Sequence, residues 1–326
     1  MTPKIFLGPM TLHVVEAIKE LDLPIGLIPS RRQVEYSRGY TGLTTEELYN
    51  SVHGSNILLC RDHAGPGQGA VDDDGLTSLQ EDLKYMDIVH IDPWKKASSL
   101  QDGIDQTIRL IEYCLDINPT QKFEIGTEQA IYEYSPEDLE IILLHLSSSL
   151  QEKFANIKYA CVQSGTGLDL PGRKNIRNFN SNKLKAFIDV CNKYGVKSKE
   201  HNGDYLVDTF GIATRFELGL DAINIAPELG QLETECYLYL IGDDRELFDK
   251  FYNICYESRK WEKWITREVT KHELILTAGH YIIGTPEFET EIKDKLSDPS
   301  NTSRYIKDRL KDLIVKMYLQ AHGYKA

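Results

Sequence analysis

The amino-acid sequence predicts an α/β fold, a single (β/α)8 TIM barrel with a helical C-terminal extension. Short apolar runs alternate with amphipathic segments, as expected for parallel strands joined by crossover helices. There are eight such runs, the number that closes a barrel. They lie at residues 4–8, 24–29, 56–61, 87–92, 122–126, 157–163, 196–200 and 221–226. The segments with helical character between them are 11–21, 44–53, 78–86, 101–117, 136–149, 181–194 and 206–219.

Two of the predicted helices carry clear start signals. Thr44-Thr45-Glu46-Glu47 places acidic residues in a first turn, where they favour the positive end of the helix dipole. Ser135-Pro136-Glu137-Asp138 combines a capping hydroxyl with proline at the first helical position. These signals support the crossover helices that the barrel requires.

A doubly wound open sheet is the alternative fold. It would normally show a glycine-rich phosphate loop after its first strand, and the sequence there reads GPMTLH at 8–13. We therefore predict one domain over 1–326, with the barrel at about 1–240 and the extension at about 241–326. The long amphipathic segments 244–259 and 303–321 are expected to supply the eighth barrel helix and a cover for the barrel or for another subunit.

Composition excludes several classes of protein. A formal net charge of −13 disfavours nucleic acid and anionic membranes as partners but leaves room for a small anionic substrate. No apolar run is long enough to span a bilayer, and the first residues lack a signal peptide pattern, so a cytoplasmic location is expected. The six cysteines form no C-x-x-C pair and are predicted to be buried free thiols.

Polar and ionisable residues follow nearly every predicted strand. In a barrel these strand ends meet at one mouth, which is where the active site lies. The residues in question are Ser30, Arg31, Arg32, Asp62, His63, Asp92, Glu124, Gln163, Glu200, His201 and Asn224. Arg31 and Arg32 are either contacts for a substrate anion or surface residues. The run Asp72-Asp73-Asp74 is interpreted as a solvated loop.

Two histidines at this mouth suggest a metal site. His63 and His201 follow the third and seventh predicted strands and can reach one ion, to which Glu124 could add an oxygen ligand. Asp62 next to such an ion is suited to proton transfer. The other histidines have weaker claims. His90, inside the fourth strand, is expected to be structural, His280 is left open, and surface or core positions are expected for His13, His53, His145 and His272.

Several short motifs resemble one known family. R-D-H-A-G-P at 61–66 resembles the D-H-L-G-P signature of the non-catalytic subunit of class II tagatose-bisphosphate aldolases. Further motifs are similar to that family in the same order: G-Y-T-G-L-T at 39–44, H-I-D-P at 90–93, E-I-G-T-E at 124–128, E-H-N-G-D-Y at 200–205 and N-I-A-P-E-L at 224–229. The resemblance covers nearly the whole chain.

The resemblance implies roles for individual residues, because the family is related to the zinc-dependent class II fructose- and tagatose-bisphosphate aldolases. It implies that Asp62 is a catalytic aspartate and that His63 and His201 are zinc ligands, with Glu124 matching a glutamate of the fifth strand. Two departures stand out. Gln163-Ser164-Gly165-Thr166 replaces the region of a third zinc histidine, and Asn202-Gly203-Asp204 and Ala226-Pro227 replace the residues that hold phosphate.

These observations predict a metal-dependent enzyme that acts on a ketose or modified sugar through an enediolate, by aldol cleavage or by epimerisation. The alternative is a non-catalytic subunit that stabilises a partner aldolase. The expected cofactor is Zn²⁺, and a homo-oligomer is expected. Asp62 and Glu124 are the predicted catalytic residues, and His63, His201, Glu124 and Gln163 the predicted metal ligands. The predicted substrate contacts are Arg31, Asp92, Asn202, Asp204 and Asn224.

Overall fold

The computed structural model describes residues 2–296 and 298–324 and contains a closed eight-stranded parallel barrel, as predicted. The barrel strands are β1 (Ile5–Leu7), β2 (Gly26–Leu27), β3 (Leu58–Ala64), β4 (Ile88–Ile91), β5 (Lys122–Ile125), β6 (Ile157–Val162), β9 (Lys197–Glu200) and β10 (Ala222–Ile225). β1 pairs with β10 in parallel and closes the ring. Each strand falls within one predicted apolar run or overlaps it.

In the part of the chain that the structure describes, one helix follows each barrel strand. These helices are α1 (Leu12–Leu21), α2 (Thr45–Val52), α3 (Leu76–Tyr85), α4 (Leu100–Ile117), α5 (Pro136–Leu150), α6 (Ser181–Lys193), α7 (Gly211–Glu217) and α8 (Pro227–Ile241). Both expected start signals form capping boxes, at Thr44 with Glu47 and at Ser135 with Asp138. The eighth barrel helix is α8, which lies directly after β10, and not one of the later segments that the sequence suggested.

The segment between β6 and α6 contains a feature that the sequence did not predict. Residues Gly167–Asp169 (β7) and Lys174–Ile176 (β8) form a two-stranded antiparallel hairpin. Asn175 on this hairpin donates hydrogen bonds from its amide to the backbone oxygens of Asn202 and Asp204, at 2.8 and 3.2 Å. The hairpin therefore braces the loop that follows β9.

The C-terminal extension contains helices α9 (Arg245–Glu257), α10 (Lys271–Ala278), α11 (Pro286–Glu291) and α12 (Pro299–Ala321). Helix α12 packs against α1, α7 and α8 on the outside of the barrel. Lys307 and Lys311 both form ion pairs with Glu20 of α1, at 2.6 and 3.0 Å. The Lys4 ammonium also donates to the backbone oxygen of Ala321 at 2.9 Å.

Alternate strand residues divide the core into two parts. One set packs between the strands and the helices, and a smaller cluster fills the barrel interior with Phe6, Ile28, Cys60, Ile88, Tyr159 and Ala222. All six cysteines are buried and unpaired, which confirms the expectation of free thiols. Among the described residues, no helix combines the length and apolar character that a bilayer crossing requires.

Candidate metal centre at the barrel mouth

Four side chains converge at the C-terminal end of the barrel strands. Asp62, His63, His90 and His201 each present one ligand atom, and these atoms all lie within 4.8 Å of one another. The Asp62 Oδ1 atom is 3.7 Å from His63 Nε2, 4.0 Å from His90 Nδ1 and 3.8 Å from His201 Nδ1. The rings lie with centroids about 5 Å apart, so three imidazoles surround one carboxylate. We call this group the histidine cluster.

An irregularity in β3 brings two consecutive side chains to the same cluster. Neighbouring strand residues normally point to opposite faces. Here the pairing of β3 with β4 shifts between Arg61 and Ala64, and His63 adopts a positive φ of 50°. Such a conformation is uncommon outside glycine and marks a local strain that the surroundings must support. Because of it, Asp62 and His63 both reach the mouth.

Each histidine of the cluster uses its second ring nitrogen to bind a fixed oxygen. His63 Nδ1 lies 2.5 Å from Asp92 Oδ2, and His90 Nε2 donates to the Gly126 carbonyl at 2.9 Å. His201 Nε2 lies 2.8 Å from Glu124 Oε1. These contacts orient the rings and leave the opposite nitrogen of each within 4.0 Å of Asp62, although His90 Nδ1 also accepts a hydrogen bond from the His63 backbone amide at 3.3 Å. Metal-binding histidines in proteins show the same arrangement of outer hydrogen bonds.

A buried ion pair lies directly beneath His201. Lys199 donates to Glu124 Oε2 at 2.6 Å, and both side chains are almost completely inaccessible to solvent. The Lys199 ammonium also lies 3.9 Å from the centre of the Phe6 ring. Burial opposes ionisation of Glu124, but Lys199 and the neighbouring histidines lower the pKa of this carboxyl well below its usual value. Glu124 is therefore a carboxylate that hydrogen-bonds His201 from the barrel interior. It does not belong to the four converging side chains.

The electrostatic coupling within the cluster is strong. Burial disfavours the charged form of His63, but the Asp62 charge and the Asp92 hydrogen bond raise the pKa of His63 to about 10. The pKa of His90 is also raised, against the effect of burial, by Glu124 and Asp62. Burial likewise opposes the charge on Asp62, whose pKa is lowered below its usual value by His63, His90 and His201. The cluster thus attracts positive charge.

The structure brings several of the predicted site residues to this mouth. Asn224 Nδ2 lies 3.5 Å from Asp62 Oδ1, and the Asn224 Oδ1 atom is buried without a partner among the described residues. Asp92 holds His63 and also accepts a hydrogen bond from Thr127 at 2.9 Å. Asn202 donates to Glu128 at 2.8 Å. Asn224, Asp92 and Asn202 lie at or just after the ends of their strands, where the sequence predicted them.

Three other predicted site residues are engaged elsewhere. The Gln163 side chain is fully used by backbone groups of Thr127, Tyr132 and Tyr134, so it is not directed to the cluster. The Arg31 guanidinium pairs with Glu35 and Asp73, each at 2.7 Å, and fixes the loop after β3. Asp204 accepts hydrogen bonds from the amides of Ala226 and Glu228 and so caps the start of α8.

His90 requires the opposite correction. The sequence predicts a structural role for His90 because it lies within a strand, yet its Nδ1 atom faces Asp62 as part of the cluster. The alternation of inward and outward side chains along β4 could have identified His90 as a site residue. Ile88 belongs to the barrel interior, and His90, two residues later, points to the same side. A histidine on the inward face near the end of a barrel strand is a site candidate.

Two buried carboxyl groups beside the mouth are expected to make the free energy of unfolding depend on pH. Burial raises the pKa of Asp204 to about 7, and burial together with the charge of Asp204 raises the pKa of Glu228 to about 8. Both pKa values lie above those of the same groups in the unfolded chain. The folded state therefore loses stability as the pH rises from the unfolded-state pKa values to about 7 for Asp204 and about 8 for Glu228. We expect Glu228→Gln to stabilise the protein by roughly 1–2 kcal/mol at about pH 8.5, and by much less at about pH 5.

Urea denaturation at the two pH values measures this effect. Glu235→Gln on the same helix is the matched control, because Arg173 lowers the pKa of Glu235 and the pair is partly exposed. That variant should show no gain at high pH. A gain for Glu228→Gln that does not depend on pH would contradict the raised pKa of Glu228.

Comparison with known proteins places the chain among (β/α)8 barrels. No family profile matches the sequence, and no curated protein matches it. A solved structure of a probable tagatose 6 phosphate kinase from Sinorhizobium meliloti 1021 is similar, with a TM-score of 0.75 and 16% identity over 98% of this chain and 100% of that one. Fructuronate-tagaturonate epimerase UxaE from Cohnella laeviribosi is also similar, with a TM-score of 0.65 and 12% identity over 98% of this chain and 81% of the epimerase. At these identities the likeness shows the fold.

Proposed function

We propose that the protein is a metal-dependent sugar epimerase that acts on an anionic ketose at the histidine cluster. The observation that carries the proposal is the convergence of three imidazoles and one carboxylate at the catalytic end of a barrel. Aldol cleavage uses related chemistry. The fold shared with fructuronate-tagaturonate epimerase favours epimerisation as the first activity to test.

The cluster fits a zinc-like cation. Three nitrogens from His63, His90 and His201 correspond to the ligand set of catalytic zinc sites, which keep one position open for water or substrate. The outer hydrogen bond of each ring fixes its orientation and leaves the other nitrogen facing the site, as a metal ligand requires. When bound, such an ion polarises a substrate carbonyl as a Lewis acid. This ligand set replaces the pair of histidines with Glu124 or Gln163 that the sequence suggested.

The chain's own residues have separate tasks in this proposal. Asp62 lies within 4.0 Å of a ring nitrogen of each of the three histidines and is partly exposed, so it accepts and returns a proton at the substrate carbon or hydroxyl. Glu124 and Lys199 hold His201 in place from the barrel floor. Asn224 offers a buried carbonyl oxygen without a partner among the described residues, which a substrate hydroxyl would satisfy.

Three basic side chains near the mouth support an anionic substrate. Arg32 donates to the Gly69 carbonyl at 3.3 Å, Lys95 to the Gly67 carbonyl at 2.6 Å, and the Lys263 ammonium lies 4.3 Å from the Trp264 ring centre. These contacts are with neutral groups. Desolvation and the nearby charges of Arg32 and Lys95 lower the pKa of Lys263. Cations grouped in this way on a chain with a net charge of −13 favour a phosphate or carboxylate ligand.

Metal content is the direct test. Full-length protein is stripped with a chelator and reloaded with Zn²⁺, and mass spectrometry of the metal is expected to find about one equivalent per chain. His90→Ala and His201→Ala should lower the content, while His53→Ala, on the surface at the end of α2, should not. A chain that binds no metal under any condition would contradict the proposal and favour the non-catalytic subunit.

Substrate screening completes the test. The loaded protein is incubated with ketose phosphates, keto-sugar acids and neutral ketoses, and products are followed by NMR. We expect an anionic ketose to be converted to its epimer and neutral ketoses to remain unchanged. Conversion that proceeds equally well in His90→Ala and His201→Ala would place the reaction elsewhere.

A further inference from the structure

A cavity lies outside the barrel mouth, between α1, α8 and the C-terminal extension. Its volume is about 760 Å³, within the usual range for small-molecule sites. Its lining includes Thr11, His13, Glu233 and Ser303, and none of the four residues of the histidine cluster. The cavity is therefore distinct from the site of the proposed epimerase.

Three of the lining side chains form a connected series. Ser303 Oγ lies 3.1 Å from His13 Nε2, and His13 Nδ1 lies 2.7 Å from Glu233 Oε1. Glu233 is fully buried, whereas the His13 side chain is 13% exposed. A hydroxyl, an imidazole and a carboxylate in this order are the arrangement by which hydrolases activate a serine.

The carboxylate end of the series is fixed. Thr11 donates from its hydroxyl to the second oxygen of Glu233, so both carboxylate oxygens are engaged. With Glu233 accepting from Nδ1–H of His13, the Nε2 atom is left to accept the Ser303 proton. Burial opposes the charged form of His13, but the hydrogen bond and charge of Glu233 raise its pKa. An imidazole stabilised in this way can hold a proton during a reaction.

We propose that Ser303, His13 and Glu233 form a second reactive site, in which Ser303 is a nucleophile toward uncharged acyl esters. The carboxylates of Glu16, Glu289 and Asp294 also line the cavity, and Lys293 is paired with Glu289 at 2.9 Å. This acidic lining disfavours anionic esters. The second site therefore takes a different class of substrate from the barrel mouth.

Besides the ester, the reaction needs only water. Ser303 Oγ attacks the ester carbonyl carbon while its proton passes to His13 Nε2. The ester C–O bond then breaks, the leaving alcohol takes the proton from His13, and an acyl group remains on Ser303. Water, deprotonated by His13, attacks this acyl group, releases the carboxylic acid and restores the serine.

An uncharged fluorophosphonate probe tests the proposal on the full chain. The Ser303 oxygen would displace fluoride and form a bond to phosphorus, which intact mass and peptide mapping detect. We expect folded protein to be labelled at Ser303, and heat-denatured protein to remain unlabelled. Ser303→Ala should abolish labelling, and His13→Gln should slow it by about 100-fold or more.

Ser300→Ala is the matched control. Ser300 lines the same cavity and lies on the same helix, but its hydroxyl donates to Asp298 instead of to a histidine. This variant should be labelled at the wild-type rate. Thermal melting curves establish that each variant is folded. Labelling no faster than that of denatured protein, or labelling that persists in folded Ser303→Ala, would overturn the assignment.

Discussion

Replacing Asp62 by asparagine is expected to slow conversion of the ketose found in the screen by about 100- to 10,000-fold. Asparagine preserves the size of the side chain but cannot accept a proton. Asp62 Oδ1 lies within 4.0 Å of a ring nitrogen of each of the three histidines, so this carboxylate is best placed for proton transfer. Since the histidines supply the metal ligands in our proposal, the variant should retain its metal. NMR rates and metal content measure the two quantities separately.

Asp72→Asn provides the control for charge. Asp72 lies in the acidic loop after β3 and forms an exposed ion pair with Lys96 at 2.8 Å. Its loss removes the same negative charge from the region without touching the cluster, so the rate should match that of the wild type. A rate for Asp62→Asn within a few-fold of the wild type would refute the role of Asp62 in proton transfer.

Arg61→Met is expected to lower the free energy of unfolding by about 3–5 kcal/mol. The Arg61 guanidinium is completely buried and bonds Asp82 at 2.6 Å, the carbonyls of Pro29 and Val34, and the Thr45 hydroxyl. Its removal leaves the Asp82 carboxylate buried without a cation. Urea denaturation monitored by circular dichroism measures the change.

Two further variants separate this cause from loss of packing. Arg61→Met combined with Asp82→Leu removes both charges and should recover much of the stability, because an apolar pair replaces a buried ion pair at little cost. Lys84→Met, which breaks an exposed ion pair with Glu81, should leave stability unchanged. If the double variant is no more stable than Arg61→Met, loss of packing is the better explanation.

The barrel could be predicted from the sequence because its strands are marked by composition. Each of the eight apolar runs overlaps one barrel strand, and most helix bounds agree to within a few residues. Helix α7 is an exception. It begins at Gly211, whereas periodicity suggested 206, because residues before it form a turn around Tyr205 and Phe210, both with positive φ. Local backbone conformations of this kind leave little trace in hydrophobic periodicity.

The candidate site was predicted in part. Strand ends identified Asp62, His63 and His201, which the structure brings together. The sequence suggested Gln163 as a ligand in place of a third histidine on the sixth strand. The third imidazole instead comes from His90 on β4, within a strand. Which strand supplies a ligand depends on inward orientation and register, and the bulge that turns both Asp62 and His63 inward is set by tertiary pairing.

The contact between the first and last described helices has a consequence for how the chain folds. Lys4 and Ala321 bond across 317 sequence positions, and α12 lies along α1. During synthesis, α1 leaves the ribosome long before the helix that covers part of its surface exists. Contacts between such distant segments slow folding and leave apolar surface open to association with other chains. The surface of α1 that α12 covers therefore stays exposed on the nascent chain until α12 has been synthesised and packs against it.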